Sequence, residues 1–393
     1  MALKTVKNFI KNIYKNAMSH TCCGPSAIEI EEPNLGFWKE IDSKCKSENR
    51  PIFVLAPMAD VTDCAFRYVI AKYGMPDVLW TEFVAADGLV RATEEGKKKL
   101  LADLKFSSEL EHPIVAQLFG SHPQYMEEAC KLVAELGFDG IDLNMGCPDK
   151  SIEKQGAGAS MMKNPKLAKE IVLAAKRGVE RASQESKGDS TGEKSIKIIP
   201  ITVKTRVGYN KDELDSWLKN ILEAAPAVVT VHARTRKEMS KVPANWDYVN
   251  RAVLIRNKMQ SHLIEAGKNH TLIFGNGDVE SIEDGYKKAK DTGADGVMIG
   301  RAIFGNPWLF STIRNPLQEP LEPSIKEKLN VMVEHTQKFQ NELGGIKNFA
   351  VMKKHYKAYV NGFDGAKELR AQLMETQNAG EVRKIVEDFI AEI

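Results

Sequence analysis

Gly140-Ile141-Asp142-Leu143-Asn144-Met145-Gly146-Cys147-Pro148 is the stretch on which the fold turns. Its first part, Gly140–Asn144, is one of a series of short apolar runs that predict buried strands. Helical patterns flank it, Gln124–Leu136 before and Pro165–Glu180 after. The alternation continues in both directions. Further strands are predicted at Phe53–Leu55, Val78–Glu82, Ile114–Leu118, Ile201–Thr205, Val228–His232, Thr271–Gly275 and Gly296–Ile299, with helices at Asp212–Ala224 and Ser281–Thr292. Eight strands with intervening helices over about 250 residues predict a TIM-type (β/α)8 barrel. A doubly wound sheet is the alternative, but no strand–GxGxxG–helix unit opens the chain.

Beyond the eighth unit, Pro316–Pro323 reads as a proline-punctuated linker, and Ser324–Ile393 as almost entirely helical. Apolar residues recur there at spacings of three and four, as in Leu329, Met332 and Val333, or Ile385, Phe389 and Ile390. The expected organisation is a basic extension over 1–50, a catalytic barrel over 51–316 and a small all-α helical domain over 317–393. The polar stretch Ala182–Ser195 is expected to be a surface loop; because it precedes a strand, it belongs at the barrel face opposite the site.

With 43% hydrophobic and 27% charged residues among 393, the composition is that of a soluble globular protein. No apolar run approaches the roughly 18–20 residues of a membrane helix, so no membrane span is expected. The net charge of +2 is nearly balanced, so a nucleic-acid partner must be argued from local patches. The six cysteines are scattered, with neither zinc-ligand spacing nor a secreted framework, which points to a reducing, cytoplasmic compartment. Cys64 and Cys130 fall on helices and read as inert. Residues 1–28 contain no acid. Lys4, Lys7, Lys11 and Lys15 share one helical face there, and Val6, Phe9, Ile10, Ile13 and Tyr14 another. Such a segment suits an RNA-contacting arm, a membrane-surface helix, a transit peptide or a lysine-rich helix packed on its own domain; its lack of Arg speaks against import.

In a barrel, functional residues gather at the C-terminal ends of the strands. The residues there are Ala56-Pro57-Met58, Glu82, Gln117, Asn144 to Cys147, Lys204 with Arg206, His232 with Arg234, Asn276-Gly277 and Gly300-Arg301. Packing alone does not put so many polar groups at the ends of apolar strands. A free thiol such as Cys147, with a reference pKa of about 8.5, is mostly protonated at neutral pH and can give up a proton. Acting as a nucleophile it would need a depressed pKa and usually a paired His, which no motif supplies. Lys204 at a barrel mouth suggests an anionic ligand, and with His232 it could stabilise charge on a bound ring. The loops Phe274–Asp278 and Ile299–Arg301 occupy the positions where barrels commonly bind phosphate, and Arg301 could add a bidentate contact.

These stretches together resemble the dihydrouridine synthase family of FMN enzymes over Pro51–Phe310. The matching motifs are Ala56-Pro57-Met58 with Val61-Thr62-Asp63 and Phe66-Arg67, Gln117-Leu118-Phe119-Gly120, Asp142 to Pro148, Val203 to Gly208, Val231 to Thr235, Gly275 to Asp278, and Gly296 to Arg301 with Pro307-Trp308. Similarity continues around Lys353-Lys354-His355 and Gly365 to Arg370. One stretch departs: Arg236 to Trp246 stands where the family has a Gln, a Tyr and a Gly before an Ala-Asp-Trp.

The resemblance implies FMN held by Pro57, Met58, Gln117, Lys204, His232, Asn276, Gly277, Gly300 and Arg301. It implies a uracil oriented by Asn144 and contacted by Arg206, hydride transfer from flavin N5 to C6, a proton from Cys147 to C5, and NADPH as electron source. The implied substrate is tRNA, met by a monomer. A uracil stacked in folded RNA must be extruded at a cost of a few kcal/mol. The helical tail, where Lys347, Lys353, Lys354, His355 and Lys357 interleave with Tyr356 and Tyr359, is expected to grip phosphates and bases. The rival readings are a dihydroorotate dehydrogenase-like enzyme acting on a free pyrimidine, and a tRNA-binding protein that no longer reduces anything.

Overall fold

The chain carries eight short strands, β1 (Ile52–Leu55), β2 (Leu79–Ala85), β3 (Ile114–Phe119), β4 (Gly140–Met145), β5 (Ile201–Arg206), β6 (Val228–His232), β7 (Leu272–Asn276) and β8 (Gly296–Ile299). The computed structural model describes residues 30–188, 195–313 and 322–393. All strands are parallel, in the order β1-β8-β7-β6-β5-β4-β3-β2. A parallel bridge between Val54 and Val78, with the Leu55 amide donating to the Val78 carbonyl at 3.2 Å, joins β1 to the start of β2 and closes the ring. The eight strands anticipated from apolar runs are these, and the fold is the TIM-type barrel, because strands buried on both faces read as unbroken β-branched and apolar runs.

Several elements differ from expectation. The helix beginning at Pro165 continues to Gly188, so the first part of the stretch read as a loop is helical; residues 189–194 lie outside the described set. The helix is held along its length to the neighbouring helix Pro123–Glu135 through Arg177–Glu127 (3.0 Å), Arg181–Glu128 (2.7 Å) and, within that stretch, Lys131–Glu185 (2.9 Å). The lysine-rich segment before residue 29 and most of the Pro316–Pro323 linker also lie outside the described residues. Residues 31–50 are not a free extension. The helix Trp38–Ser47 buries Trp38 completely, its ring 5.8 Å from Trp80 of β2 and 5.4 Å from Phe274 of β7, among other apolar residues of the barrel.

Residues 31–393 form one compact unit. The tail contains helices Ile325–Leu343, Lys353–Tyr359, Ala366–Glu375 and Ala379–Glu392. A capping box opens it: Ser324 Oγ accepts from the Glu327 amide at 3.2 Å and the Glu327 carboxylate accepts from the Ser324 amide at 2.8 Å. Cys64, Ala65 and Val69, from the barrel helix Cys64–Gly74, pack with Leu329, Met332 and Phe339 of the tail in a shared apolar cluster. Polar links reinforce the joint. Lys72 and Tyr73 both meet Glu334 at 2.6 Å, and Lys347 bridges Glu82 in the middle of β2 (2.6 Å) and Asp103 (2.7 Å).

Candidate active site

At the C-terminal mouth of the barrel lies a cavity of about 690 Å³, within the usual range for small-molecule and cofactor sites. Of the barrel residues singled out in the sequence, Pro57, Met58, Gln117, Asn144, Cys147, Lys204, Arg206, His232, Asn276, Gly277, Gly300 and Arg301 line it; Glu82 does not, being turned to Lys347 of the tail. Parallel strands bring this about, since their final residues all end on one rim.

Cys147 sits in the turn after β4, and its neighbours hold that turn from behind. The side-chain oxygen of Asn144 accepts from the amides of Gly146 (3.1 Å) and Cys147 (2.9 Å). Asn144 Nδ2 donates to Gln117 Oε1 (3.0 Å), Gln117 Nε2 to Asp142 (2.6 Å), and Thr202 Oγ1 to the other Asp142 oxygen (2.6 Å). Asp142 fixes the direction of this relay: an ionised carboxylate only accepts, so Gln117 and then Asn144 must each present an oxygen onward to the turn. Burial pushes the Asp142 carboxyl up to about 6, against the donors that favour its charge. The relay was not anticipated, although Asp142 and Gln117 both stand in quoted motifs. Asn144 and Gln117 therefore spend most of their hydrogen bonds on the protein itself.

Burial raises the Cys147 thiol above its ordinary value, and the charges of Lys204 and Arg206 oppose that rise without reversing it. The sulfur is thus held as a thiol, half-buried at the cavity wall. Cys45, Cys64 and Cys130 are buried, and burial drives all of them upward, Cys45 and Cys64 to about 12. Lys204 Nζ donates to Asn276 Oδ1 at 3.2 Å; desolvation, then the charge of Arg206, brings its pKa down to about 8. His232 is held well below its usual value, first by burial and then by the nearby cations, so it is neutral; its Nε2 accepts from Arg234 at 3.2 Å, leaving Nδ1 to carry the hydrogen.

Arg206 also lines the cavity, yet its guanidinium ties loops together: it donates to the carbonyls of Gly146 (2.8 Å), Thr235 (3.2 Å) and Met239 (3.3 Å). Asp278 pairs with Arg234 and with Arg301, the latter at 2.8 Å. The loop that departs from the family pattern still closes the site. Met239 and Ser240 line the cavity, and Trp246 Nε1 donates to the Gly277 carbonyl at 2.9 Å. Gly277 has φ +122, and a Cβ there would stand 2.9 Å from Ala244 and 3.3 Å from His232, so this turn takes no side chain.

The residues present suit a flat, anionic cofactor such as FMN. The wall carries Lys204, Arg206, Arg234 and Arg301, and Asn276 and Gly277 offer polar edges beside them. Among the described residues no cluster of His, Cys, Asp and Glu could hold a metal ion.

The tail residues are a correction. His355, Tyr356 and Tyr359 are buried, so they cannot meet an RNA strand. His355 packs against Phe66 (ring centroids 5.3 Å apart) and His335 (4.8 Å). Lys353 Nζ donates to the Met374 carbonyl, and Lys347 is held by Glu82 and Asp103. Of the anticipated cluster, only Lys354 and Lys357 are exposed. None of Lys353, Lys354 and His355 reaches the cavity.

The family model for dihydrouridine synthase (Dus) matches residues 54–393. The "Probable tRNA-dihydrouridine synthase" of Staphylococcus aureus (strain Mu50) is 37% identical over 91% of this chain and 96% of its own length. The "Probable tRNA-dihydrouridine synthase 2" of Bacillus subtilis (strain 168) is 36% identical over 90% and 96%. Among solved structures, "Structure of morphinone reductase in complex with tetrahydroNAD" covers 70% of this chain and 89% of that one at 12% identity, with a TM-score of 0.41. With its matched segment spanning barrel and tail alike, the chain belongs to the dihydrouridine synthase family.

Proposed function

We propose that this chain reduces the C5–C6 double bond of uridines in tRNA, with FMN as cofactor and NADPH as electron donor. The observation that carries the reading is the thiol of Cys147 facing the same cavity as Lys204, His232 and Asn276. The names of the relatives support tRNA as the substrate.

Lys204, His232, Asn276, Gly277, Gly300 and Arg301 would hold the cofactor, with Pro57 and Met58 against it. The chemistry FMN supplies when bound is a hydride for C6 of the uracil, drawn in turn from NADPH. Cys147 holds a proton at Sγ and delivers it to C5, so that one hydride and one proton complete the reduction. The thiolate left behind is favoured by the charges of Lys204 and Arg206. The Asn144 relay keeps the turn in place while this happens; the remaining N–H of Asn144 is free to orient the base.

Replacing Cys147 by Ala tests the proton donor. The purified variant should keep the visible absorption of bound flavin, while dihydrouridine formation, measured by mass spectrometry of digested tRNA, falls by about 100-fold or more, as expected for a lost general acid. Normal product formation by the variant would remove Cys147 from the reaction. A colourless wild-type protein with no product would remove the reading itself.

A further inference from the structure

A second chamber, of about 740 Å³, opens on the far side of the Cys147 turn. It shares Phe83, Cys147, Pro148 and Met239 with the first, so the two meet at the thiol. Lys204, His232, Asn276, Gly277, Gly300 and Arg301, the residues suited to the cofactor, all line the first chamber and none lines the second.

The second chamber's walls are apolar and aromatic. Phe119, at the end of β3, lies edge-on to Phe83 of β2, with ring centroids 5.8 Å apart at 78°. Ile152 and Met239 complete the apolar lining, and Met239 is 41% exposed. The rim carries two cations, Arg236 and Lys150, and one exposed carboxylate, Asp149, which accepts from the Ser151 amide at 2.8 Å. Arg236 is held by Glu153 at 2.7 Å, but Lys150 stands exposed.

We infer that this chamber receives the nucleotide adjacent to the uridine being reduced, its base stacked against Phe119 and its phosphate held at Lys150. The inference rests on the proposed reading of the site as one that acts on RNA. A base whose ring reaches Cys147 brings its neighbour, one backbone unit away, to the other side of that turn. Aromatic walls accept any base by stacking, and an ammonium on the rim complements the phosphate between the two nucleotides. The chamber thus sets which sequence context is reduced well, without contributing to the redox step.

The test uses the full-length protein loaded with its cofactor and an unmodified tRNA transcript in which the reduced uridine has first been mapped. Transcripts with an abasic residue on either side of that uridine are compared with the intact one, using wild type, Phe119→Ala, Met239→Ala and Lys150→Ala. An abasic neighbour on one side should lower kcat/KM of the wild type by about 10-fold, within the range of a lost stacking contact. The same change should have little further effect in Phe119→Ala, whose own loss is already comparable. Met239→Ala, at an exposed position, covers the case in which Phe119→Ala does not fold. KM for NADPH should stay unchanged in Phe119→Ala and Lys150→Ala, which lie outside the first chamber. Full activity of the wild type on both abasic transcripts would overturn the inference, and so would variants that raise KM for NADPH while leaving tRNA use untouched. A wild type that reduces no uridine at all would instead refute the underlying reading.

Discussion

Asn144→Asp tests whether the relay behind Cys147 has only one direction. The two side chains are isosteric, so packing is kept. In the protein each facing pair along Thr202, Asp142, Gln117 and Asn144 matches a donor to an acceptor. Asn144→Asp leaves the amides of Gly146 and Cys147 with their acceptor but sets an oxygen against Gln117 Oε1. Turning the Gln117 amide over only moves the clash to Asp142. A proton must therefore be taken up, or a hydrogen bond to a charged group given up, at a cost of about 1.5–3 kcal/mol. With unfolding entropy near 2.1 cal/mol/K per residue, that corresponds to roughly 2–4 °C in Tm for a chain of this length. The sign with pH follows from linkage. The new carboxyl has a folded pKa raised above its unfolded value of about 3.9, so its deficit is absent below that value and grows as pH rises through the folded one. Asp142, already pushed up to about 6, moves the same way. Thermal melting of variant and wild type at pH 5 and pH 8 measures this. Equal melting at pH 8, or a deficit no smaller at pH 5, would show that the relay tolerates either direction and that Asp142 does not set it.

Acid should loosen the joint between barrel and tail. Burial pushes His355 down to about 3 and His335 well below its usual value, so both stay neutral while their unfolded counterparts protonate near pH 6.5. The stability they hold is full above that pH and is lost as pH falls toward 3; between pH 7.5 and 5.5 the loss from His355 alone is about 1.4 kcal/mol. Urea unfolding of wild type and His355→Leu at both pH values should show a smaller pH difference in the variant. Lys347→Met leaves Glu82 and Asp103 without their cation, which should cost about 3–5 kcal/mol at pH 8. Burial already raises Glu82 to about 7, so its protonation should relieve much of that defect at pH 5.5; a loss of equal size at both pH values in urea unfolding would contradict this account.

The barrel was legible because a strand buried on both faces shows itself as an apolar run, and the site because those runs end in Gln117, Asn144, Lys204, His232 and Asn276. In the tail, charge along the chain is a poor guide, because helical facing decides which of its residues meet solvent. Met352 and Tyr356, and His355 and Tyr359, lie four apart and turn inward, leaving Lys354 and Lys357, three apart, on the outer face. That signal was present in the spacing. The partners of Lys347 were not, since Glu82 is 265 residues away in sequence and no local pattern announces such a pairing. The relay was hidden for a similar reason: Thr202 and Asp142 meet only through the register of β4 with β5.

The shared apolar cluster has a practical meaning for anyone exchanging parts among such proteins. The barrel helix that carries Ala65 and Val69 has its outward face finished by residues of the tail. A chimera joined just before Ser324 would graft a foreign surface onto that helix and strand the carboxylate of Glu82. The natural cut runs through side chains, so a successful swap has to carry the Cys64–Gly74 helix and β2 together with the tail they were shaped against.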